Sequence, residues 1–372
     1  MKYYVIAGEA SGDLHGSNLI KELRKIDAQA MVRCWGGDKM QAAGATLVKH
    51  YRELAFMGFT EVLKNLPTIL HNMKFCKEDI LQYQPDAVIL IDYPGFNVRI
   101  AKWAKQQGIK VIYYISPKVW AWKESRVPVM KQCIDKMLVI LPFEKDYYKK
   151  KWNWDVEYVG HPLMDAVEDF QDKVRSLQLS DKPIVALLPG SRKHEILKKL
   201  PTMLTVSNSF TDHQFIVAKA PGIEEDFYDN LLKNYSNVSY VSGQTYNLLQ
   251  QSKAAIVTSG TATLETALFN VPEVVCYKLS PVSYRIGKWL VKIKYISLVN
   301  LILDKLVVKE FIQHEMSVAN LKNELNELLF NEQYIAAMKN DYAELRELLN
   351  KEGNASAIAA NSILNFLISS KV

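Results

Sequence analysis

The amino-acid sequence predicts an α/β protein with two Rossmann-like domains, whose mostly parallel sheets face a central cleft. Short apolar runs rich in β-branched residues alternate with stretches of helical length and periodicity along most of the chain. Several of these runs are apolar nearly throughout, as strands covered by helices on both faces must be. With 372 residues, the chain is longer than a typical single domain.

Nine strands are predicted, in two groups that a charged, β-poor segment separates. The first group is YYVIA (3–7), DAVILID (86–92), KVIYYIS (110–116) and KMLVILP (136–142). The second group is PIVALLP (183–189), QFIVAKA (214–220), NVSYVSG (237–243), AAIVTS (254–259) and EVVCYKL (273–279). The separating segment, residues 161–182, places the domain boundary near residue 165. We therefore expect an N-terminal domain of residues 1–165, a C-terminal domain of residues 166–339 and a helical tail of residues 340–372.

Composition restricts the class of partner and the compartment. The formal net charge is +6, and this mild excess is compatible with phosphorylated substrates or an anionic membrane face. No zinc-finger spacing, RNP motif or long Lys/Arg block points to nucleic acid. The cysteines form no C-x-x-C pair, which fits a reducing compartment, and no His or carboxylate cluster has metal-ligand spacing, so neither a metal nor a cofactor is predicted. No apolar run reaches the roughly 18 residues of a transmembrane helix, so we expect a cytoplasmic protein.

A Gly-Ser-Arg turn follows the first strand of the C-terminal domain. In LLPGSRKHEI (187–196), Gly190, Ser191 and Arg192 lead from that strand into a helix. Free backbone N–H groups and the helix dipole attract an anion to such a turn, and the Arg192 guanidinium suits a phosphate. The alternative is an ordinary turn in which Ser191 caps the helix and Arg192 faces solvent.

A second polar turn follows the strand 254–259. In TSGTATLETAL (258–268), Ser259, Gly260 and Thr261 open a helix, and they can either cap it or hydrogen-bond a diphosphate. Glu265 lies inside the same helix and would reach ribose hydroxyls if it faces the cleft; otherwise it faces solvent. Two such turns in one domain point to a nucleotide site more specifically than either turn alone.

The N-terminal domain carries acids where a phosphate-binding turn would be neutral. VIAGEASGDLHGS (5–17) has the strand, turn and helix of a dinucleotide site but no G-x-G-x-x-G, and Glu9 lies in its turn. Asp92 ends the strand of LIDYPGFN (90–97), where a carboxylate would suit a general base. An Asx-turn, in which Asp92 bonds the following backbone, is the alternative.

Aromatic and apolar residues suggest contacts with a sugar and with lipid. YYISPKVWAW (113–122) brings Ser116 and Trp120 together, for stacking on a sugar or for packing between domains. FMGFTEVLKNLPTILHNMKF (56–75) has apolar residues at helical spacing, namely Phe59, Val62, Leu63, Leu66, Leu70 and Met73. YRIGKWLVKIKYISLVNLIL (284–303) mixes basic residues with Trp289 and aliphatic residues. Both stretches suit a membrane interface or an acyl chain, with two amphipathic helices packed on the core as the alternative.

Together these motifs resemble the lipid-A-disaccharide synthase family. The resemblance rests on AGEASGDLHG, GGDKMQAAGA, ELAFMGFTEVL, YISPKVWAW, LPFEKDYY, VGHPLMD, LLPGSRKHEI, SGTATLE and YISLVNLILDKLVVKEFIQ, in order from residue 7 to about residue 313. It implies a GT-B fold whose C-terminal tail packs back on the first domain. It also implies an inverting glycosyltransferase of lipopolysaccharide biosynthesis. This enzyme would join UDP-2,3-diacylglucosamine to 2,3-diacylglucosamine 1-phosphate (lipid X), with a β-1,6 linkage and release of UDP.

The resemblance also implies roles for individual residues. Asp92 matches the family's base, and Glu9, Arg192 and Asn300 match further active-site positions. We expect UDP at the two turns of the C-terminal domain and the acceptor sugar near Ser11, Ser116 and Trp120. Here LVN stands where many members have LPN, and Gly95 stands where others carry a second Asp. The expected partners are the two lipid substrates and an anionic inner-membrane surface of a Gram-negative-type bacterium, with a homodimer left open.

Two alternatives remain at the level of the sequence. A GT-B enzyme acting on a soluble UDP-sugar, such as a UDP-sugar 2-epimerase, would keep both nucleotide turns but would not need the apolar surface of residues 59–73. A non-catalytic, membrane-associated nucleotide-binding protein would need neither Asp92 nor an acceptor.

Overall fold

The structure of the chain is a computed structural model that describes residues 1–54, 66–171, 177–281, 284–285, 289, 293–350 and 353–370. The chain divides into two compact units. Unit 1 comprises Met1–Asp165 together with Leu349–Val372, and unit 2 comprises Ala166–Leu348. The C-terminal part of unit 1 begins at Leu349, so residues 340–348 of the expected returning tail belong to unit 2.

Unit 1 contains a seven-stranded parallel sheet with helices between its strands. The strands are Lys2–Ala7 (β1), Met31–Gly36 (β2), Thr46–His50 (β3), Ala87–Ile91 (β4), Lys110–Tyr114 (β5), Lys136–Val139 (β6) and Glu157–Tyr158 (β7). The helices are Ala10–Ile26 (α1), Asp38–Ala42 (α2), Leu66–Tyr83 (α3), Pro94–Gln106 (α4), Val127–Cys133 (α5) and Pro142–Trp152 (α6). The strand order is β3-β2-β1-β4-β5-β6-β7. A further helix, Pro162–Gln171 (α7), contains the division between the units.

Unit 2 contains a six-stranded parallel sheet in the order β10-β9-β8-β11-β12-β13. The strands are Ile184–Leu188 (β8), Gln214–Lys219 (β9), Val238–Ser242 (β10), Ser252–Thr258 (β11), Glu273–Tyr277 (β12) and Glu310–Ile312 (β13). The helices are Lys193–Ser207 (α8), Glu225–Leu232 (α9), Thr245–Gln251 (α10), Thr261–Leu268 (α11), Leu298–Leu303 (α12), Val318–Phe330 (α13) and Glu332–Asn350 (α14). The last helix, Ala355–Ser369 (α15), belongs to unit 1.

The central strands are apolar because both of their faces are covered. Every residue of β4 and every residue of β8 is buried, as in parallel sheets generally. In unit 1 the core also takes in Trp35 and Met73, which pack with residues of the sheet and of α4. The predicted α/β class with mostly parallel sheets is therefore confirmed.

Each sheet has a point where the order of the strands reverses. In unit 1 the chain runs outward from β1 to β3 and then returns to the other side of β1 with β4. In unit 2 it runs outward from β8 to β10 and returns beside β8 with β11. The connections on either side of such a point diverge and leave a crevice at the carboxyl ends of the two strands, where ligands of open α/β sheets bind.

Candidate active site

Glu9 and Asp92 lie at the reversal point of unit 1. Glu9 directly precedes α1, and Asp92 directly follows β4, which pairs with β1 in parallel so that Ala7 is opposite Ile91. Both carboxylates therefore follow the carboxyl ends of neighbouring strands, which lie about 4.8 Å apart in a sheet. The sequence analysis put these two acids in one site on resemblance, and the topology of unit 1 brings their backbone positions together.

The backbone at Asp92 is held in an unusual conformation. Asp92 and Tyr93 have φ values of 44° and 47°, in the left-handed region that residues with a side chain rarely adopt. Two donors fix the carbonyl of Asp92: Asn97 Nδ2 at 2.9 Å and the Tyr113 hydroxyl at 2.5 Å. Strained residues that are held by several hydrogen bonds cluster at functional sites, and this turn has that character.

The surroundings of Asp92 raise the basicity of its carboxylate. Burial raises the pKa of Asp92 to about 6, and the charge of Glu9 adds to this effect, whereas Lys118 and the backbone amide of Tyr93 oppose it. A carboxylate with this pKa is ionised at pH 7 and is more basic than an ordinary aspartate. It thus meets the requirement that a general base has a pKa near the working pH.

The first turn of unit 1 does not provide an open phosphate cradle. A Cβ on Gly8 would lie 2.4 Å from Cγ of Tyr93, so the aromatic ring packs directly on the backbone of the turn. The other acid of this segment, Asp13, is buried and accepts hydrogen bonds from the backbone amides of Gly37 and Met40 at 2.8 and 3.0 Å. Asp13 therefore caps α2 and has a structural role, while Glu9 remains a candidate for the site.

The residues expected at the acceptor sugar differ in their surroundings. Ser11 is half-buried in the first turn of α1. Ser116 is buried, and its Oγ lies 2.6 Å from the hydroxyl of Tyr148. The Ser116 hydroxyl is thus occupied inside unit 1, which is not the exposed position that a sugar ligand requires.

Trp120 is half-buried and is fixed by a carboxylate that the sequence analysis missed. Its Nε1 donates to Glu144 Oε1 at 3.1 Å, and the other oxygen of Glu144 accepts the Leu141 amide at 3.0 Å. Burial raises the pKa of Glu144 to about 7. The signal in the sequence was the spacing of LPFE, which puts a Glu at the third position of α6 and is typical of a helix-capping residue.

In unit 2, the Gly190–Arg192 turn follows β8 at the reversal point. Gly190 has φ 118°, which favours glycine because other residues rarely adopt it. Ser191 is exposed, and Arg192, not Ser191, is the N-cap residue of α8. Arg192 Nη1 lies 3.1 Å from Glu195 Oε1. The turn therefore combines a guanidinium with the N-terminus of a 15-residue helix, which together favour an anion.

The second turn of unit 2 follows β11, the strand next to β8. Because Leu188 is opposite Val257 in register, both turns are at adjacent carboxyl ends. Gly260 has φ 152°, and there is open space around the position of a Cβ on it. Thr261 begins α11, whereas the hydroxyl of Ser259 donates to the carbonyl of Ile296 at 2.8 Å. This pair of turns is the best candidate for binding a diphosphate in unit 2.

Two further predicted residues of unit 2 are engaged with the protein. Glu265 Oε1 accepts a hydrogen bond from the hydroxyl of Tyr246 at 3.0 Å. The amide of Asn300 is fully buried and makes four hydrogen bonds: Nδ2 donates to the Val308 carbonyl and Glu310 Oε1, and Oδ1 accepts from the amides of Val307 and Val308. Both donors and both lone pairs of the Asn300 amide are used, so it has no group left for a substrate in this arrangement.

The apolar residues expected at lipid fall into three groups. Leu66 and Leu70 are 43% and 55% exposed, and Trp289 is 82% exposed. Met73 is buried in the core of unit 1, so it packs against protein where we had expected an acyl chain. Phe59, Val62 and Leu63 lie outside the residues that the structure describes. Within the described part of the chain, no helix is long and apolar enough to span a bilayer.

Solved structures resemble this fold at low sequence identity. A UDP-GlcNAc 2-epimerase from Neisseria meningitidis bound to UDP-GlcNAc superposes with a TM-score of 0.69 and 14% identity, covering 98% of this chain and 100% of that chain. A calicheamicin glycosyltransferase has a TM-score of 0.61 and 12% identity, with 99% and 98% of the two chains covered. These likenesses establish the GT-B fold.

Sequence relatives are much closer. A lipid-A-disaccharide synthase of Syntrophus aciditrophicus is 38% identical over 96% of this chain and 96% of its own length. One of Geobacter metallireducens is 36% identical over 95% and 94%. The profile of the family described as lipid-A-disaccharide synthetase matches residues 3–363. The chain therefore belongs to the lipid-A-disaccharide synthetase family.

Proposed function

We propose that this protein is a lipid-A-disaccharide synthase. In the proposed reaction, the 6-hydroxyl of 2,3-diacylglucosamine 1-phosphate attacks C1 of the sugar of UDP-2,3-diacylglucosamine. The new bond is a β-1,6 linkage formed with inversion, and the products are the disaccharide 1-phosphate and UDP. Lipid-A-disaccharide synthases of other bacteria match nearly the whole chain, which supports the assignment of the reaction.

The observation that carries the mechanism is the basic carboxylate at the reversal point of unit 1. As the acceptor oxygen attacks, its proton must pass to a base. We assign this role to Asp92, since its pKa of about 6 leaves it ionised and ready to accept a proton at pH 7. Glu9 follows the neighbouring strand and raises the basicity of Asp92 through its charge. In this proposal Glu9 tunes the base.

Unit 2 binds the nucleotide and stabilises the leaving group. When the bond between the donor sugar and UDP breaks, the electron pair stays on the β-phosphate oxygen. Arg192 and the amides of the turns at Gly190–Arg192 and Ser259–Thr261 can interact with that charge, which lowers the barrier because the donors are already oriented. The Asn300 side chain donates to Glu310, which accepts hydrogen bonds from the amides of Ile296 and Ser297. The carbonyl of Ile296 in turn accepts the Ser259 hydroxyl. We therefore assign Asn300 a positioning role in place of a catalytic one.

The exposed apolar residues supply a contact for acyl chains or for an anionic inner-membrane surface. Leu66 and Leu70 are four residues apart on α3 and so lie on one face of it. We expect Leu66→Ser/Leu70→Ser to lower binding to anionic phospholipid vesicles and to raise the KM for the acylated acceptor. Leu81→Ser is the matched control, because Leu81 is 49% exposed on the same helix, close to its other end. Equal vesicle binding by both variants and the unchanged protein would refute this contact.

Substrate choice tests the proposed reaction directly. We expect purified protein to form the β-linked disaccharide from UDP-2,3-diacylglucosamine and lipid X in detergent. UDP-N-acetylglucosamine should give neither a disaccharide nor a 2-epimer. Conversion of UDP-N-acetylglucosamine to its 2-epimer would favour the epimerase alternative. Binding of UDP with no transfer, under conditions in which a relative is active, would favour a non-catalytic nucleotide-binding protein.

A further inference from the structure

Unit 2 contains a buried lysine, close to the Gly190–Arg192 turn, for which the mechanism so far has no use. Lys199 is only 2% exposed, and among the described residues it forms neither a hydrogen bond nor an ion pair. We propose that Lys199 is a second cation of the Gly190–Arg192 turn and binds the diphosphate of UDP together with Arg192. This inference rests on the proposed function, because it takes UDP to be bound at that turn.

The geometry of α8 directs Lys199 to the turn. Side chains in a helix lean toward its N-terminus, so a long side chain two turns into α8 can reach back to the residues before it. Two charged groups lie near the position that a Cβ on Gly190 would take: Glu195 Oε2 at 2.9 Å and Lys199 Nζ at 3.4 Å. The ammonium is thus next to the backbone of the turn, on a side chain that is almost entirely inside unit 2.

The charges around Lys199 leave room for an anion. The groups that face it are Glu195, Arg192, Lys198 and Cys276. Glu195 is the acid among them, and it already pairs with Arg192 at 3.1 Å. Burial raises the pKa of the Cys276 thiol to about 12, so this group is neutral. Glu195 thus faces two cations, the half-buried Arg192 and the buried Lys199.

Burying an ammonium group without a partner costs free energy, and this cost lowers the pKa of the group. Burial lowers the pKa of Lys199 to about 8, and the charge of Glu195 only partly opposes the effect. A diphosphate at Gly190 would supply the missing negative charge and favour the protonated amine. A purely structural lysine, supported by Glu195 alone, would have no such link to UDP.

The first test compares UDP affinity in matched variants. Calorimetry at pH 7 should show that Lys199→Met weakens UDP binding by about 10- to 100-fold, the loss of one charged hydrogen bond. Affinity for uridine, which lacks phosphate, should stay the same. Lys198→Met removes the same charge from the neighbouring position of α8 and should change UDP affinity by less than about threefold.

The second test measures the protons that the protein takes up when UDP binds. At pH 8.5 the phosphates of UDP are fully ionised. Any protons that are taken from the buffer when UDP binds must therefore be bound by groups of the protein. Calorimetry in two buffers with different ionisation enthalpies should show uptake by the unchanged protein and by Lys198→Met, and none by Lys199→Met. Replacing an unpaired buried charge by methionine should leave the fold intact. If Lys199→Met does not fold, the absence of proton uptake by the unchanged protein would still overturn the proposal.

The outcomes separate this inference from the proposed function. Equal UDP affinity of Lys199→Met and the unchanged protein, or no proton uptake by the unchanged protein, would overturn the role of Lys199 while leaving the glycosyltransferase assignment in place. If the unchanged protein does not bind UDP at all, both proposals are wrong.

Discussion

Asp92 gains its basicity from an environment that is unfavourable for its charge. A carboxylate whose pKa is raised from 3.8 to about 6 binds protons more tightly in the folded chain than in the unfolded chain. Its ionised form therefore lowers the free energy of unfolding at neutral pH. Such a conflict between stability and function is typical of catalytic groups, and it can be measured at this residue.

We predict that Asp92→Asn reduces the rate of transfer at least about a thousandfold and also stabilises the protein. At pH 7.5 the free energy of unfolding should rise by about 1–2 kcal/mol, a partial value for a half-buried group whose pKa shifts by roughly two units. This rise in the free energy of unfolding should be complete above about pH 6. It should vanish below about pH 4, where the carboxyl of Asp92 is protonated in both the folded and the unfolded chain. Urea unfolding and initial rates measure both effects.

The control for this prediction is an acid with the opposite shift. Burial opposes ionisation of Asp79, but hydrogen bonds from Arg33 and Tyr4 outweigh it and lower its pKa. Asp79→Asn should therefore destabilise the protein above about pH 4 and lose this effect in more acidic solution. A stability loss for Asp92→Asn of the same sign as for Asp79→Asn would contradict our account of Asp92.

The pH dependence of transfer should reveal the neighbours of the base. For the unchanged protein we expect kcat/KM to fall below about pH 6 as Asp92 becomes protonated. Glu9→Gln removes a charge that raises the pKa of Asp92 and should move this limb to lower pH. Lys118→Met removes a charge that lowers it and should move the limb to higher pH. Limbs that stay in place in both variants would exclude Asp92 as the titrating base.

At the scale of elements, the turns after parallel strands carry the residues of the proposed chemistry, and other segments hold these turns in place. The segment before α12 is one of these supports. The carboxylate of Glu310 on β13 accepts hydrogen bonds from the backbone amides of Ile296 and Ser297 and from the side-chain amide of Asn300. The carbonyl of Ile296 in the same segment accepts a hydrogen bond from the hydroxyl of Ser259. Ser259 is the first residue of the second turn proposed to bind the nucleotide.

Asn300→Ala tests whether this asparagine positions or catalyses. The substitution removes the side-chain partner of the Val308 amide and the Val308 carbonyl, whereas the Val307 amide keeps a hydrogen bond to the Lys305 carbonyl. We expect a loss of about 3 kcal/mol in the free energy of unfolding, together with a higher KM for the UDP-sugar. A large drop in kcat at unchanged stability and KM would instead show a catalytic role. Urea unfolding and steady-state kinetics provide the comparison.

Strand prediction succeeded where a strand is apolar and failed where it is short or polar. All nine predicted strands are present. The four that the sequence analysis missed are β2, β3, β7 and β13. β3, β7 and β13 are two to five residues long and contain no fully buried residue, and β2 carries Arg33 in its middle. Three of these lie at the edges of the sheets, where solvent on one side removes the continuous apolar run that marks a central strand.

At the scale of the whole molecule, the C-terminal helix completes unit 1. Small residues of α15 such as Ala359 and Ala360 are fully buried, and α15 packs against α1. Asp165 accepts the backbone amides of Ala355 and Ser356 at 3.1 and 3.0 Å. One buried carboxylate thus ties the start of α15 to a residue 190 positions earlier in the chain.

We predict that Asp165→Ala destabilises unit 1 selectively, by about 1–2 kcal/mol as for the loss of a helix cap. Tryptophan fluorescence suits the measurement, because six of the seven tryptophans lie in unit 1. The control is Ser362→Ala on α15, which removes a half-exposed hydrogen bond from Ser362 to Glu157 of β7. It should lower the free energy of unfolding by less than about 0.5 kcal/mol. An unchanged urea midpoint for Asp165→Ala would show that this capping contributes nothing.

The sequence by itself determined the α/β class, the central strands and the polar turns that follow them, because these depend on local hydrophobicity, glycine and helix-start signals. Family resemblance added the active-site roles expected of Glu9 and Asn300 and agreed with those inferred for Asp92 and Arg192. Tertiary structure decided which polar residues the protein itself satisfies. Ser116, which the sequence suggested as a sugar contact, and Asn300, to which the resemblance gave an active-site role, both form hydrogen bonds inside their own units. It also brought Lys199 to the back of the Gly190 turn. The physical reason is that burial and hydrogen-bond partners depend on residues distant in the sequence, which no local pattern contains.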